Sequence, residues 1–565
     1  MQQINAILTY GFFHNSEIML EKNISRLIGF DRNATLKFFI MLNLAIEETR
    51  LSRSSHTFIS KFIRMLPIGY QKRASSFISS HYLSTAPVVT EILVDLLNLT
   101  ASQNTLEEPG SSFAAKAFDT ILIYNEHRYS ELGVGKRSDS IELIWEMLII
   151  QGLNAENASA YHRSGISKQL AFISFMKEFL KEDYPTFEEG LLQQTGFSSI
   201  YDYPFIFTNL ILTYQKAILE DSPLIVVPPD HALYNIFHDI DVVTQWKPEN
   251  DKISLASLTA MPFIKLADGV LYLTGISNFG LITEKCWNYY LFTKKLLPQS
   301  LKISNFSDLQ ALWGKQYIER YLMLGLLKSI QKSGIRVIGS DDNNLPDATI
   351  IVNERDVFLF EIKSSSLVNR VTIEKSVEQF KDFIDQNFVI GKKGAPQLNR
   401  IIKLLAQKNG SDYKITQNLK KIRIFPILVF TENHLIKNGV NEYVIRNAPL
   451  LGDEITHKFQ KIAPLTMIHY DFFIENLSEL KTNRNLLKKT IESYHSNVSK
   501  LKKKYQRFNS TKNYYDSLIS FDDFAANGKQ LLYTASHTTI LEEMNNVFDF
   551  RKNAAYTKSK IDELS

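Results

Sequence analysis

The sequence predicts an α+β protein of several domains: a mainly helical N-terminal half, a mixed-sheet domain and a helical, basic C-terminal tail. Three observations support this class. At 565 residues the chain is too long for one ordinary domain. Apolar residues recur at three- and four-residue spacing through residues 1–222, which is typical of amphipathic helices. In residues 305–475, short apolar runs alternate with helical patterns, which indicates a sheet flanked by helices.

The composition is that of folded domains, with 44% hydrophobic and 12% aromatic residues. The one cysteine, Cys286, excludes an intramolecular disulfide framework and a Cys-rich zinc site. No basic region precedes the first apolar residues, so no signal peptide is expected. No uncharged apolar run reaches the roughly 18 residues of a membrane span. We therefore expect a cytoplasmic protein without membrane contact.

Four domains follow one another in this prediction. They are a helical domain at 1–222, a small mixed α/β segment at 223–304, the mixed-sheet domain at 305–475 and the helical tail at 476–565. Ser222-Pro223 and Pro228-Pro229 suggest the first boundary. In the second segment, Asp268-Gly269 between two short apolar runs predicts a hairpin. No GxxxxGK[ST] phosphate loop is present, so an intrinsic P-loop ATPase is not supported.

The most informative stretch is 346–363, PDATIIVNERDVFLFEIK. Two apolar runs, 348–352 and 357–362, flank a turn-like Asn-Glu-Arg-Asp segment, which predicts a β-hairpin. Because strand side chains alternate, Glu361 and Lys363 share one face, and Asp347 can approach Glu361 across the ladder. Two adjacent carboxylates repel each other unless a cation lies between them, and hard oxygen ligands suit Mg²⁺ or Mn²⁺. With the lysine beside them, these groups could perform metal-assisted phosphodiester hydrolysis.

Further elements are predicted around this hairpin. An amphipathic helix at 314–332 carries Glu319, which is either a site residue or an ordinary solvated glutamate. The other predicted elements are a strand at 335–338, a helix at 394–407, and strands at 423–430 and 465–469.

Pro346-Asp347, thirteen intervening residues and then Glu361-Ile362-Lys363 resemble the signature of the PD-(D/E)xK nuclease superfamily. The resemblance covers about residues 305–475. It implies a restriction-endonuclease-like fold and a Mg²⁺-dependent deoxyribonuclease acting in restriction, repair or defence against foreign DNA.

The resemblance also implies roles for individual residues. Asp347 and Glu361 would hold the metal, with the Ile362 carbonyl as a further ligand. Lys363 would orient the attacking water or stabilise charge on the phosphate. Glu319 would bind the metal directly or through water.

Charge is distributed unevenly. Residues 101–250 contain 21 acidic and 10 basic side chains, whereas residues 391–423 contain nine basic and one acidic, and 481–512 contain ten basic and one acidic. A nucleic-acid partner for the C-terminal half is the simplest account, although solvated helix faces would also explain either run. The candidate nucleic-acid-binding residues are Lys392, Lys393, Arg400, Lys403, Lys502, Lys503, Lys504 and Arg507.

Two other classes of protein stay open. The chain could be a catalytically inactive nuclease-fold module that binds nucleic acid without cutting it. It could also be an interaction scaffold in which the hairpin and its Glu-Lys pair are structural. For a nuclease, we expect the helical N-terminal half to recruit a protein partner, form a homo-oligomer or regulate the C-terminal half.

Overall fold

The computed structural model describes residues 6–16, 19–48, 53–78, 81–99, 110–131, 158–204, 224–239, 241–242, 252–275, 287–340, 342, 344–365, 377–508, 510–527 and 536–550. The chain divides into two compact units. Unit 1 comprises residues 1–139 and 188–296, and unit 2 comprises residues 140–187 and 297–565. Residues 140–187, inside the predicted N-terminal domain, therefore belong to unit 2. The four predicted domains themselves stay a prediction.

Unit 1 is mainly helical. Its described helices are Tyr10–His14, Arg32–Glu48, Arg53–Met65, Ile68–Ile78, Ala86–Asn98, Ser111–Glu131, Tyr234–His238, Leu255–Ala260, Trp287–Thr293 and, except for its N-terminal turn, Tyr184–Thr195. Its strands are β1 (Ala6–Ile7), β2 (His81–Tyr82), β3 (Val226–Val227), β4 (Phe263–Lys265) and β5 (Leu271–Leu273). The antiparallel pairing of β4 with β5 confirms the predicted hairpin, and Gly269 in its turn has a φ of +77°. Cys286 lies outside the described residues.

Unit 2 is built on a mixed sheet of six strands. They are β6 (Ile335–Gly339), β7 (Ala348–Val352), β8 (Asp356–Lys363), β9 (Arg423–Phe430), β10 (Lys461–Ile462) and β11 (Thr466–His469). The predicted strands of this region are confirmed, with bounds that differ by at most a residue at either end.

The sheet changes from antiparallel to parallel pairing at β8. Strands β6, β7 and β8 are antiparallel neighbours, whereas β8 and β9 run parallel. Strand β9 pairs in parallel with both β10 and β11. These two short strands follow each other along the same side of β9, so together they act as one edge strand with a break. The carboxyl ends of β8, β9 and β11 therefore lie at the same edge of the sheet, which we call the C-edge.

Helices cover both faces of this sheet, which is why β7 and β8 are almost entirely buried. The described helices of unit 2 are Ala158–Leu180, Phe306–Trp313, Gly314–Met323, Leu324–Ser329, Val377–Ile384, Asp385–Val389, Ala395–Gln407, Val440–Asn447, Asp453–Thr456, Asp471–Glu475, Leu477–Thr482, Leu486–Phe508, Thr511–Ser517, Phe521–Asn527 and His537–Phe548. One core packs Val357 and Leu359 of β8 against the Ala395–Gln407 helix. No described helix is long and apolar enough to cross a membrane.

The Ala158–Leu180 helix is tied to the C-edge by buried polar contacts. The Lys168 ammonium lies 3.2 Å from Asp471 Oδ1 and donates a 2.7 Å hydrogen bond to the Tyr470 hydroxyl. Ser164 donates to the same Asp471 oxygen. Because buried charges are costly unless they are paired and hydrogen-bonded, these contacts fix where this helix joins unit 2.

Candidate active site

The first candidate residue, Asp347, immediately precedes β7. Ala348 pairs with Phe360, so continuing the antiparallel register places Asp347 across from Glu361. The Asp347 carboxylate turns toward β8, because its Oδ2 accepts a 2.6 Å hydrogen bond from the backbone NH of Ile362. The hairpin thus brings together both ends of the 346–363 motif at the C-edge.

Glu361 and Lys363 lie at the end of β8 on the same face. The Glu361 side chain is 1% exposed, and the Lys363 side chain is 15% exposed. The Lys363 ammonium donates a hydrogen bond to Glu361 Oε1. The other carboxylate oxygen, Oε2, is buried and has no hydrogen-bond partner among the described residues. A buried carboxylate oxygen without a donor is costly, and a cation would satisfy it.

Glu319 joins these residues from the Gly314–Met323 helix, which is a π-helix. Such segments are rare and are frequent at functional sites. The helix begins in close contact with the residue after Lys363: a Cβ on Gly314 would lie 2.1 Å from Ser364 Oγ and 3.1 Å from its Cβ. Glycine therefore permits the approach that brings Glu319 to the C-edge.

The three acidic residues act on one another electrostatically. Burial, followed by the charge of Asp347, raises the pKa of Glu361 to about 8, although Lys363 opposes the shift. Burial and Asp347 likewise raise the pKa of Glu319 to about 7, again against Lys363. These are the shifts that clustered carboxylates undergo where no cation compensates their charge.

The donors present are those that Mg²⁺ or Mn²⁺ prefers, because all are hard oxygen ligands. Among the residues that the structure describes, no three His, Cys, Asp or Glu side chains form a ready-made metal group. Asp347 and Glu361 are the two side chains that could hold a cation between them. The Ile362 carbonyl and Glu319 were predicted as further ligands. Ile362 lies between Glu361 and Lys363 on β8, and Glu319 approaches these residues from the Gly314–Met323 helix.

The predicted nucleic-acid-binding residues lie on two surface segments. Lys392 and Lys393 are exposed in the turn before the Ala395–Gln407 helix, and Arg400 and Lys403 are exposed on the helix itself. Lys503, Lys504 and Arg507 are exposed on the Leu486–Phe508 helix, which we call the basic helix. Lys502 differs, because its ammonium is 2.5 Å from the buried Glu442 carboxylate.

Sequence reasoning missed two features of this region. The first is the contact of Gly314 with Ser364, although a glycine at the start of an otherwise regular helical pattern is a signal of close approach. The second is the partner of Lys502, for which the sequence carries no signal because Glu442 lies sixty residues earlier.

Comparisons with known proteins do not supply a relative: no family model, no curated protein and no solved structure matches this chain.

Proposed function

We propose that this chain is a metal-dependent nuclease that hydrolyses phosphodiester bonds of nucleic acid, DNA rather than RNA. Asp347 and Glu361 would hold Mg²⁺ or Mn²⁺, with the Ile362 carbonyl and Glu319 completing the ligand set. Lys363 would act at the scissile phosphate. The resemblance to the PD-(D/E)xK superfamily extends this proposal to a restriction-endonuclease-like fold and to a role in restriction, repair or antiviral defence in the cytoplasm.

The observation that carries the proposal is the carboxylate pair at the C-edge. Glu361 is almost fully buried, its Oε2 has no partner among the described residues, and Asp347 adds negative charge beside it. In a metal-free protein this arrangement is unfavourable, since burial and repulsion both oppose ionisation. A divalent cation would reverse both effects, because it supplies the missing positive charge and coordinates carboxylate oxygen.

The position of each residue supports the role proposed for it. Asp347, held by the Ile362 NH, keeps a fixed orientation toward Glu361. Lys363 carries positive charge beside Glu361 and is the more exposed of the two, so it can meet a phosphate oxygen as negative charge develops there. Glu319 approaches the same cluster from its helix and would complete the ligand set in its ionised form, because a carboxylate must lose its proton to bind a metal. A bound Mg²⁺ would supply Lewis-acid polarisation of the phosphate.

The exposed cations support a polyanionic substrate. Lys392, Lys393 and Lys403 of one segment and Lys503 and Lys504 of the other present positive charge to solvent. Contacts of this kind supply most of the sequence-independent affinity for nucleic acid.

One observation favours a different function, that of a nuclease-fold module which binds nucleic acid without cutting. The hydrogen bond from Lys363 satisfies one oxygen of Glu361 internally, and the described residues contain no ready-made group of three acidic or imidazole ligands. Under this alternative, the fold would bind nucleic acid through its basic surface, and Asp347 and Glu361 would not hold a catalytic metal.

Incubation of the purified full chain with linear, circular and single-stranded DNA, with Mg²⁺ or with EDTA, distinguishes the two functions. A nuclease cleaves at least one of these substrates only with Mg²⁺. Binding without Mg²⁺-dependent cleavage of any substrate would contradict the proposal and favour the binding module.

A further inference from the structure

The C-terminal end of the basic helix has an open, positively charged groove. The groove is a shallow depression between side chains of this one helix, and the cationic and aromatic side chains that line it are Lys500, Lys503, Lys504, Arg507 and Phe508. They recur at three- and four-residue spacing, so they share one face of the helix. The opposite face is buried through Ile491, Tyr494 and Val498.

Contacts along the basic helix show where this groove lies relative to the sheet. Lys488, near the start of the helix, is 3.3 Å from Asp356, the first residue of β8. Fourteen residues later, Lys502 reaches Glu442, about 21 Å further along an α-helix. The neighbour of Glu442, Asn441, accepts a 2.7 Å hydrogen bond from the backbone NH of Met467.

Met467 lies at the level of Glu361 in the sheet, because both residues pair with Leu428 of β9. From Asp356 to Glu361, strand β8 rises about 17 Å, which is somewhat less than the rise of the helix from Lys488 to Lys502. The basic helix therefore runs in the direction of β8, and its residues after Lys502 extend to and beyond the C-edge that carries Asp347 and Glu361.

Lys502 is an anchor of this arrangement rather than part of the groove, since it is held by Glu442. The groove itself contains no acidic side chain, and residues 493–515 contain no Asp or Glu at all. A polyanion can thus approach the groove without repulsion from its lining.

Phe508 adds a second kind of contact. Its side chain is 63% exposed, and the Arg507 guanidinium lies 5.0 Å from the ring centroid. An exposed aromatic ring beside cations is the arrangement on which unpaired bases stack, because every base has a π-face and its neighbouring phosphates need positive charge. Bases inside a duplex are already stacked and cannot use such a ring.

We propose that this groove binds single-stranded nucleic acid. The cations at positions 500, 503, 504 and 507 would hold the phosphates, and Phe508 would stack on an unpaired base. The strand would then be presented at the C-edge, a step that rests on the proposed nuclease function. Binding to the groove does not depend on that function.

The test measures binding of the full chain in EDTA to a fluorescent single-stranded oligothymidylate and to a duplex of equal length. Phe508→Leu removes the aromatic ring, with Phe12→Leu, at another exposed phenylalanine, as its control. Lys503→Gln with Lys504→Gln removes two groove cations. Its control is Lys177→Gln with Lys181→Gln, at two exposed lysines outside both basic segments.

Phe508→Leu should weaken single-strand binding about 5- to 100-fold and leave duplex binding within about twofold of wild type. The groove double variant should flatten the slope of log affinity against log salt by about 1.4 for the single strand. Equal slopes for the groove and control double variants would overturn the proposal. Equal loss of single-strand and duplex affinity in Phe508→Leu, or no loss, would overturn the single-strand assignment.

Because no Mg²⁺ is present, this readout is independent of cleavage. If the wild-type protein cleaves DNA but the groove variants bind the single strand as tightly as wild type, the groove proposal is refuted and the nuclease function is not. Groove-dependent binding without cleavage in Mg²⁺ would support the groove and refute the nuclease function.

Discussion

Replacing Glu361 with glutamine should stabilise the metal-free protein at alkaline pH. Glutamine has nearly the same shape but no charge, so the substitution removes the ionisation that burial and Asp347 oppose. The pKa of Glu361 rises from 4.5 to about 8. At about 1.4 kcal/mol per pH unit, keeping this carboxylate ionised in the folded protein costs on the order of 5 kcal/mol.

The sign of the pH dependence follows from the pKa of Glu361, which is higher in the folded protein than in the unfolded chain. Between about pH 4.5 and pH 8 the folded protein keeps the Glu361 proton, whereas the unfolded chain has lost it. The folded state then binds more protons, so stability declines as pH rises through this window and levels off above pH 8. Glu361→Gln lacks this contribution. Its advantage over wild type should therefore be absent near pH 4 and largest near pH 9.

Thermal melting in EDTA from pH 4 to pH 9 measures this difference. Fully buried Asp522, whose pKa is also raised to about 8, adds its own pH dependence, and comparing the two proteins cancels it. Glu492→Gln, at a partly exposed glutamate 3.8 Å from Lys461, is the matched control. We expect Glu361→Gln to melt several degrees above wild type at pH 9. A difference that does not change with pH, or a lower melting temperature at pH 9, would refute the electrostatic account of the site.

Three further predictions follow from contacts in unit 2. Mg²⁺ should raise the melting temperature of the wild-type protein, and its binding at pH 7 should release protons that titration calorimetry detects; Asp347→Ala should lose both effects. Identical Mg²⁺ titrations of Asp347→Ala and wild type would contradict the ligand assignment. Gly314→Ala should lower turnover, and adding Ser364→Gly should restore it, since the new methyl group collides with that serine; failure of the rescue would argue against the contact. Asp356→Asn should destabilise the protein by about 1–3 kcal/mol in urea denaturation, because Arg423 and Lys488 lose the charge of their shared buried partner; an unchanged midpoint would contradict this.

The strands of unit 2 could be predicted because each one is a short run of apolar and β-branched residues between polar breaks. Ala348–Val352 and Arg423–Phe430 have the predicted bounds. The convergence of Asp347 with Glu361 also follows locally, since a hairpin of known register leaves few choices for residues next to the strands.

Other features depend on contacts between distant parts of the chain, which a single sequence does not reveal. The helical pattern at 314–332 gives no sign that its first ten residues adopt π-helical hydrogen bonding. Lys502 looks like its lysine neighbours in sequence and differs only through Glu442. The membership of Ala158–Leu180 in unit 2 rests on Lys168 meeting Asp471 across about three hundred residues.

The most direct test of the central claim is turnover of DNA with excess Mg²⁺ by Asp347→Ala, Glu361→Ala and Lys363→Ala, with Glu492→Gln as the control and thermal melting of each protein alongside. The account predicts that all three site variants stay folded and lose cleavage by on the order of 10²–10³-fold or more, while the control cuts as wild type. Lys363→Ala should still bind metal, because lysine is not a ligand. Cleavage at the wild-type rate by all three site variants would contradict the account, and loss of activity only through unfolding would make the hairpin a structural element.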